Sequence, residues 1–222
     1  MHKESEMSKK VGVVLSGCGV YDGAEIHEAV LTLLALQREG ADVLMTAPDK
    51  EQMHVINHLT GDVMEESRNV LVEAARIARG NITPLAQVKA EDLDAVVFPG
   101  GFGAAKNLSS FAVAGTEMTV DEDVTRLVAE MREAHKPIGL ICISPTIGAK
   151  LIPGVKLTVG AACEASEAME SLGAHHEVTD VAGITVDDEH KVVSTGAYML
   201  GPWVADVARG IDKLVAKVLE LA

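Results

Sequence analysis

Short, unbroken apolar runs that end in glycine, each followed by a stretch with helical spacing, constrain this chain more than any other feature. The run at 11–16 (VGVVLS) stops at Gly17, the pattern of a strand covered on both faces in a parallel sheet. Ile26, Val30, Leu33 and Leu34 then recur at helical spacing, which predicts a helix over 24–38, with Asp22 able to cap its start and Gly40 its end. The alternation continues with a strand at 42–47, an irregular excursion at 48–63, a helix at 66–79 and a strand at 94–98. A helix at 120–135, a strand at 137–141, short strands at 157–159, 184–186 and 192–194, and helices at 162–171 and 202–221 complete the pattern. Such alternation specifies an α/β protein with three layers: a doubly wound, mostly parallel sheet with helices on both faces.

A chain of 222 residues, 48% hydrophobic, suits one domain over 10–222, preceded by a polar, flexible arm at 1–9 that includes a possible second start at Met7. With 19 Lys+Arg against 33 Asp+Glu, the net charge of -14 repels phosphate backbones and anionic membrane surfaces; neither nucleic acid nor membrane is expected as a partner. No apolar run approaches the roughly 20 residues of a spanning helix, and the first residues lack a secretory apolar core, so a cytoplasmic location is expected. Cys18, Cys142 and Cys163 are odd in number and form no C-x-x-C pair, which speaks against a disulfide framework and a thiolate zinc site. No metal is expected.

Three loops at the carboxyl ends of the predicted strands fall on one sheet edge, where open parallel sheets place their ligand crevice. They are 17–23 (GCGVYDG), 99–103 (PGGFG) and 142–145 (CISP). Cys142 follows an apolar strand and precedes Ser144-Pro145, a helix cap and first-turn proline. That is a nucleophile elbow, and the positive end of the following helix is expected to depress the thiol pKa. Gly100 and Gly101 would let backbone N–H groups face an oxyanion. Glu28 flanks the apolar stripe of its helix, where a carboxyl can stay protonated and donate to a Cys142 thiolate. Taken singly, each has an ordinary alternative: a small buried cysteine, a Pro-Gly-Gly turn, a solvated glutamate.

Taken together, 23–30 (GAEIHEAV), 98–108 (FPGGFGAAKNL) and 141–145 (ICISP) resemble the three signature segments of the PfpI superfamily. SGCGVYDGAEIHEAVLTLLAL, VINHLTGD, RNVL, PGGFGAAKNLS and GIDKLV resemble, within it, the ElbB family, also called enhancing lycopene biosynthesis protein. The resemblance implies the flavodoxin-like, class I amidotransferase-like version of this fold, with Cys142 as nucleophile, Glu28 as its carboxyl partner, and the N–H groups of Gly101 and Ile143 as oxyanion donors. It further implies a homodimer and a cofactor-independent glyoxalase (a lyase) of low activity on a small carbonyl substrate, glyoxal or methylglyoxal, with a link to isoprenoid biosynthesis. Relatives with glutaminase activity carry a histidine on the strand after the elbow, where this chain reads Leu157-Thr158-Val159-Gly160. His175, His176 and His190 read as surface residues, so a glutaminase triad is not expected, and His27 is at most a helper pointing elsewhere. Two other readings are a redox sensor with Cys18 as a second, resolving thiol, and a dinucleotide fingerprint from Gly17, Gly19 and Gly23 with Asp49 as ribose acid, its spacing off by one.

Overall fold

In the computed structural model the described residues are 8–222. Most of the expected arm, with Met7, therefore lies outside the described residues. Ser8 and Lys9 are already tied in: the Ser8 hydroxyl donates to the Gly40 carbonyl at 2.7 Å, and the Lys9 carbonyl accepts from the Asp42 N–H at 2.8 Å.

In chain order the elements are β1 (Lys10–Val14), α1 (Ile26–Arg38), β2 (Asp42–Ala47), α2 (Val70–Ile77), β3 (Thr83–Pro84), β4 (Ala95–Phe98), α3 (Phe102–Lys106), α4 (Phe111–Ala114) and α5 (Glu122–Glu133). They continue with β5 (Ile138–Ile141), α6 (Pro145–Leu151), β6 (Lys156–Leu157), α7 (Glu164–Ser171), β7 (His175–His176), β8 (Thr185–Asp187), β9 (Val192–Thr195) and α8 (Val204–Leu221). Seven strands form one sheet in the order β3-β2-β1-β4-β5-β9-β8, every pair parallel except β8 with β9. This is the doubly wound, flavodoxin-like, class I amidotransferase-like fold.

Side chains alternate across the central strands and feed two cores. Val96 and Phe98 of β4 and Ile138 and Leu140 of β5 join α5 through Leu127 and Met131. Ala95 and Val97 face the other way, toward Leu36 of α1 and Leu214 and Val218 of α8. Gly139 completes that second face, since a Cβ there would lie only 3.0 Å from Leu214 and 3.2 Å from Val218.

Several elements differ from the sequence reading. The strand expected at 157–159 is β6, which leaves the main sheet and pairs with β7, because Asp187 and Ser194 side chains take the N–H groups of Lys156 and Thr158. The helix expected at 66–79 starts at Val70, where Asn69 caps it by accepting from the Val72 N–H at 3.0 Å; Arg68 before it is held by the Gln52 N–H. Asp22 does not cap α1. The cap is Glu25, whose carboxylate accepts from the Glu28 N–H at 2.7 Å, while Asp22 accepts from the Ile56 N–H.

Candidate active site

The carboxyl ends of β1, β4, β5 and β9 bring four loops to one sheet edge, and Cys142 lies at their centre. It follows β5 directly with φ 61, a left-handed conformation that a non-glycine residue adopts only when its surroundings enforce it. The enforcement is visible on both sides. Its N–H donates to Thr195 O at 2.9 Å, and the Ser144 hydroxyl donates to Pro99 O at 2.8 Å. Ser144 thus ties the elbow to the Pro99-Gly100-Gly101 loop instead of capping α6, for which its side chain makes no bond.

Gly100 and Gly101 serve different ends. The Gly100 N–H donates to Glu28 Oε2 at 2.9 Å, so it is spent on the carboxyl, a correction to its expected place among the oxyanion donors. What Gly100 supplies besides that bond is room: a Cβ there would sit 2.4 Å from the Cys142 Cβ and 2.7 Å from Glu28 Oε2. Gly101 has φ 94, and a Cβ would collide with the backbone of Gly23 and Glu25. Its N–H and that of Ile143 pull the Cys142 thiol pKa down against burial, and donors acting there are suited to an oxyanion formed on a group attached to the sulfur.

Glu28 is wholly buried in the first turn of α1 and lies within hydrogen-bonding reach of the Cys142 thiol. Burial, and then the neighbouring charge of Glu25, push its pKa from 4.5 to about 8, against the opposing hydrogen bonds from Cys142, Tyr198 and Gly100. The carboxyl is therefore neutral at pH 7. Cys142 is also raised, well above the ordinary thiol value, chiefly by burial and then by Glu28; the Gly101 and Ile143 N–H groups pull the other way. The depressed thiol expected from the sequence is thus corrected. The end of α6, a helix of seven residues, does not offset desolvation of a thiol that is 8% exposed.

Two contributors were missed in the sequence. Glu25 caps α1 and sets the charge beside Glu28; the only signal was an acid three residues before it. Tyr198, in the turn after β9, donates its N–H to Glu28 Oε1 at 3.3 Å, and its hydroxyl pairs with His27 Nδ1 at 2.6 Å. That turn is held in an unfavourable conformation, with Ala197 at φ 42. His27 itself is exposed on α1 and reaches the site only through Tyr198.

The remaining sequence candidates stand apart. Cys18 is half-buried, and its pKa is raised chiefly by burial and then by Glu73, with Asp22 also raising it and Arg76 lowering it. His190 pairs with Asp187 at 3.0 Å, and His175 and His176 form β7. The helix start where a dinucleotide phosphate would rest is capped by the Glu25 carboxylate, which repels it, and Asp49 accepts from Asn69 Nδ2 at 2.8 Å.

Comparison with known proteins fits this geometry, for residues 18–204 match the DJ-1/PfpI family. The chain belongs to the DJ-1/PfpI family. Among relatives, it is 52% identical to the "ES1 protein homolog, mitochondrial" of Rattus norvegicus, over 96% of this chain and 84% of that one. It is 51% identical to the human "Glutamine amidotransferase-like class 1 domain-containing protein 3, mitochondrial", over 96% and 83%. Among solved DJ-1/PfpI-type structures, the isoprenoid biosynthesis protein with amidotransferase-like domain from Ehrlichia chaffeensis superposes with a TM-score of 0.90 at 34% identity, covering 96% of this chain and 99% of that one. These likenesses bear out the resemblance drawn from the three signature segments. The mitochondrial relatives overturn the cytoplasmic location expected from the sequence. A missing apolar secretory core speaks only against secretion and has no bearing on import into an organelle.

Proposed function

We propose that the protein is a cofactor-independent glyoxalase of low activity that converts glyoxal or methylglyoxal to glycolate or lactate. The observation that carries this reading is the convergence on Cys142 of a buried, neutral carboxyl and two N–H groups, Gly101 and Ile143. One proton leaves the Glu28–Cys142 pair near pH 8, where the carboxyl titrates; in the form that carries the charge on sulfur, the thiolate attacks the aldehyde carbon. The new oxyanion is held by Gly101 and Ile143 and takes the Glu28 proton, which gives a hemithioacetal and leaves Glu28 as carboxylate. Glu28 then removes the hydrogen on that carbon as a proton, and the electron pair moves to the neighbouring carbonyl oxygen as an enediolate forms. Return of the proton to the neighbouring carbon, with the hemithioacetal hydroxyl proton passing to the oxygen of that neighbouring carbon, gives the thioester of an α-hydroxy acid: one carbon is oxidised, its neighbour reduced, and no external redox partner is consumed. Water cleaves the thioester and restores the thiol.

Slow turnover is expected because, among the described residues, no histidine is hydrogen-bonded to Glu28 or Cys142, and an additional acid–base group typically contributes ~10² to 10⁴ in rate. Purified protein incubated with glyoxal, without glutathione or metal, should accumulate glycolate, detected by chromatography. Loss of that product in Cys142→Ser supports the reading; product formation at the wild-type rate in that variant rejects it.

A further inference from the structure

One turn grips both members of the reacting pair. Thr195, the last residue of β9, accepts the Cys142 N–H on its carbonyl at 2.9 Å. Beyond it, the Tyr198 N–H donates to Glu28 Oε1 at 3.3 Å. The path between these two bonds, through Gly196 and Ala197, therefore helps set where the carboxyl stands relative to the sulfur.

That path is held in an unfavourable form. Ala197 is at φ 42, a left-handed conformation that a residue with a Cβ leaves unless its surroundings prevent it. The planar peptide unit that carries the Tyr198 N–H turns with the torsions on either side of it, so relaxation at Ala197 would swing that N–H off Glu28. Contacts on two sides oppose this. On the inner side, Gly196 packs so closely on Gly160 that a Cβ would sit 2.9 Å from the Gly160 backbone, and the Met199 N–H closes the turn on the Gly196 carbonyl at 2.9 Å. On the outer side, the Tyr198 side chain reaches α1, where its hydroxyl pairs with His27 Nδ1 at 2.6 Å and the two ring centroids stand 5.7 Å apart. His27 and Glu28 are consecutive in α1 and point roughly 100° apart around it. Tyr198 holds both, one through its side chain and the other through its amide. Burial, and then the charges of Glu25 and Glu28, push the Tyr198 phenol pKa up, so the hydroxyl keeps its proton and can donate to the imidazole.

We infer that Tyr198 and His27 are positioning residues for the Glu28–Cys142 pair: their bond on the outer side of α1 keeps the turn after β9 in its left-handed form, and so keeps the Tyr198 N–H on the Glu28 carboxyl. Both act through Glu28. Their effect on turnover rests on the glyoxalase reading, whereas their effect on the pair does not. The groups that act on Glu28 are the Glu25 carboxylate from its own helix, the Cys142 thiol from the elbow, the Gly100 N–H from the glycine loop and the Tyr198 N–H from this turn. Because the Tyr198 N–H favours the ionised carboxyl, its loss makes the pair hold its proton more tightly.

The test follows alkylation of Cys142 by iodoacetamide between about pH 6 and pH 10, around the free-thiol range, and reads it by peptide mass spectrometry, with Cys18 and Cys163 measured in the same samples. Tyr198→Phe and His27→Ala should each slow Cys142 at about pH 7 by about three- to tenfold, the worth of one hydrogen bond, through a shift of the profile to higher pH. The double variant should be no slower than either single one, since the two side chains make one bond between them. His27→Asn, which places an amide oxygen where Nδ1 stands, should return the wild-type profile. A profile that stays in place in Tyr198→Phe, effects that add in the double variant, or an equal change at Cys18 and Cys163 overturns the inference. With glyoxal, kcat should fall in step in the two single variants while KM holds. If the wild type turns over no aldehyde, it is the glyoxalase reading that fails, and the alkylation profiles still decide the positioning role.

Discussion

Glu28 is a carboxyl that the fold keeps protonated, and its titration writes a signature on stability. Its folded pKa of about 8 lies above the ordinary 4.5, so between those values the unfolded chain is ionised while the native one keeps its proton. Raising the pH then favours unfolding. Stability should fall from about pH 4.5 to pH 8 and level off above, by an amount of the order of 5 kcal/mol at about 1.4 kcal/mol per pH unit. Urea titrations across that window check it, and Glu28→Gln should flatten most of the slope. A slope as steep in the variant as in the wild type would show that Glu28 ionises normally. Gly100→Ala is the sharpest steric test, because its Cβ would overlap Cys142 and Glu28: an activity loss of ~10² or more, from displacement of the reacting groups by an ångström, is expected in steady-state assays. Cys142 and Gly101 were legible in the sequence because turn chemistry is local. Tyr198 was not, since it reaches Glu28 only once a distant loop has been packed against α1; Glu25 is local, the acid that caps the same helix, but its effect on the Glu28 pKa depends on burial that no local pattern records.

At the scale of elements, the excursion between β2 and α2 has no regular structure to advertise a purpose, yet it braces the loop after β1. The Ile56 N–H donates to Asp22 Oδ2 at 2.7 Å, and His58 accepts from the Tyr21 N–H at 3.2 Å and stacks on its ring at 4.9 Å. That loop in turn holds the strand-end glycines: Phe102 and Gly103 donate to Val20 and Gly23 carbonyls at 2.8 and 2.9 Å. Asn107, 1% exposed, joins the parts. It accepts from the Met53 N–H and donates to the Ser16 and Asp22 carbonyls. Asn107→Ala leaves those buried groups unpaired and should cost about 2–3 kcal/mol in denaturant unfolding. Amide exchange at Gly19 to Tyr21 should quicken with it; unchanged exchange there would mean the loop stands without its brace.

For the whole molecule, one face of α1 is left without a partner among the described residues. Ile26, Val30 and Leu34 lie exposed at four-residue spacing, an apolar stripe of the kind that marks association surfaces. A homodimer closed by a twofold axis through this face is the expected assembly, and Val30→Glu should dissociate it in sedimentation experiments. A wild-type chain that sediments only at 23.4 kDa would reject the dimer, and a Val30→Glu dimer would move the interface elsewhere. The architecture followed from the sequence because strand and helix periods, and the glycines that end them, are written in neighbouring residues. The sequence also determined the elbow cysteine, the glycine loop and the choice of Glu28, through motifs a few residues long. Tertiary structure alone decided the protonation of the pair, because desolvation depends on everything packed around it. It also decided that Gly100 spends its N–H on Glu28 and that β6 leaves the main sheet. Each of these turns on contacts between segments far apart in the chain, which no local pattern records.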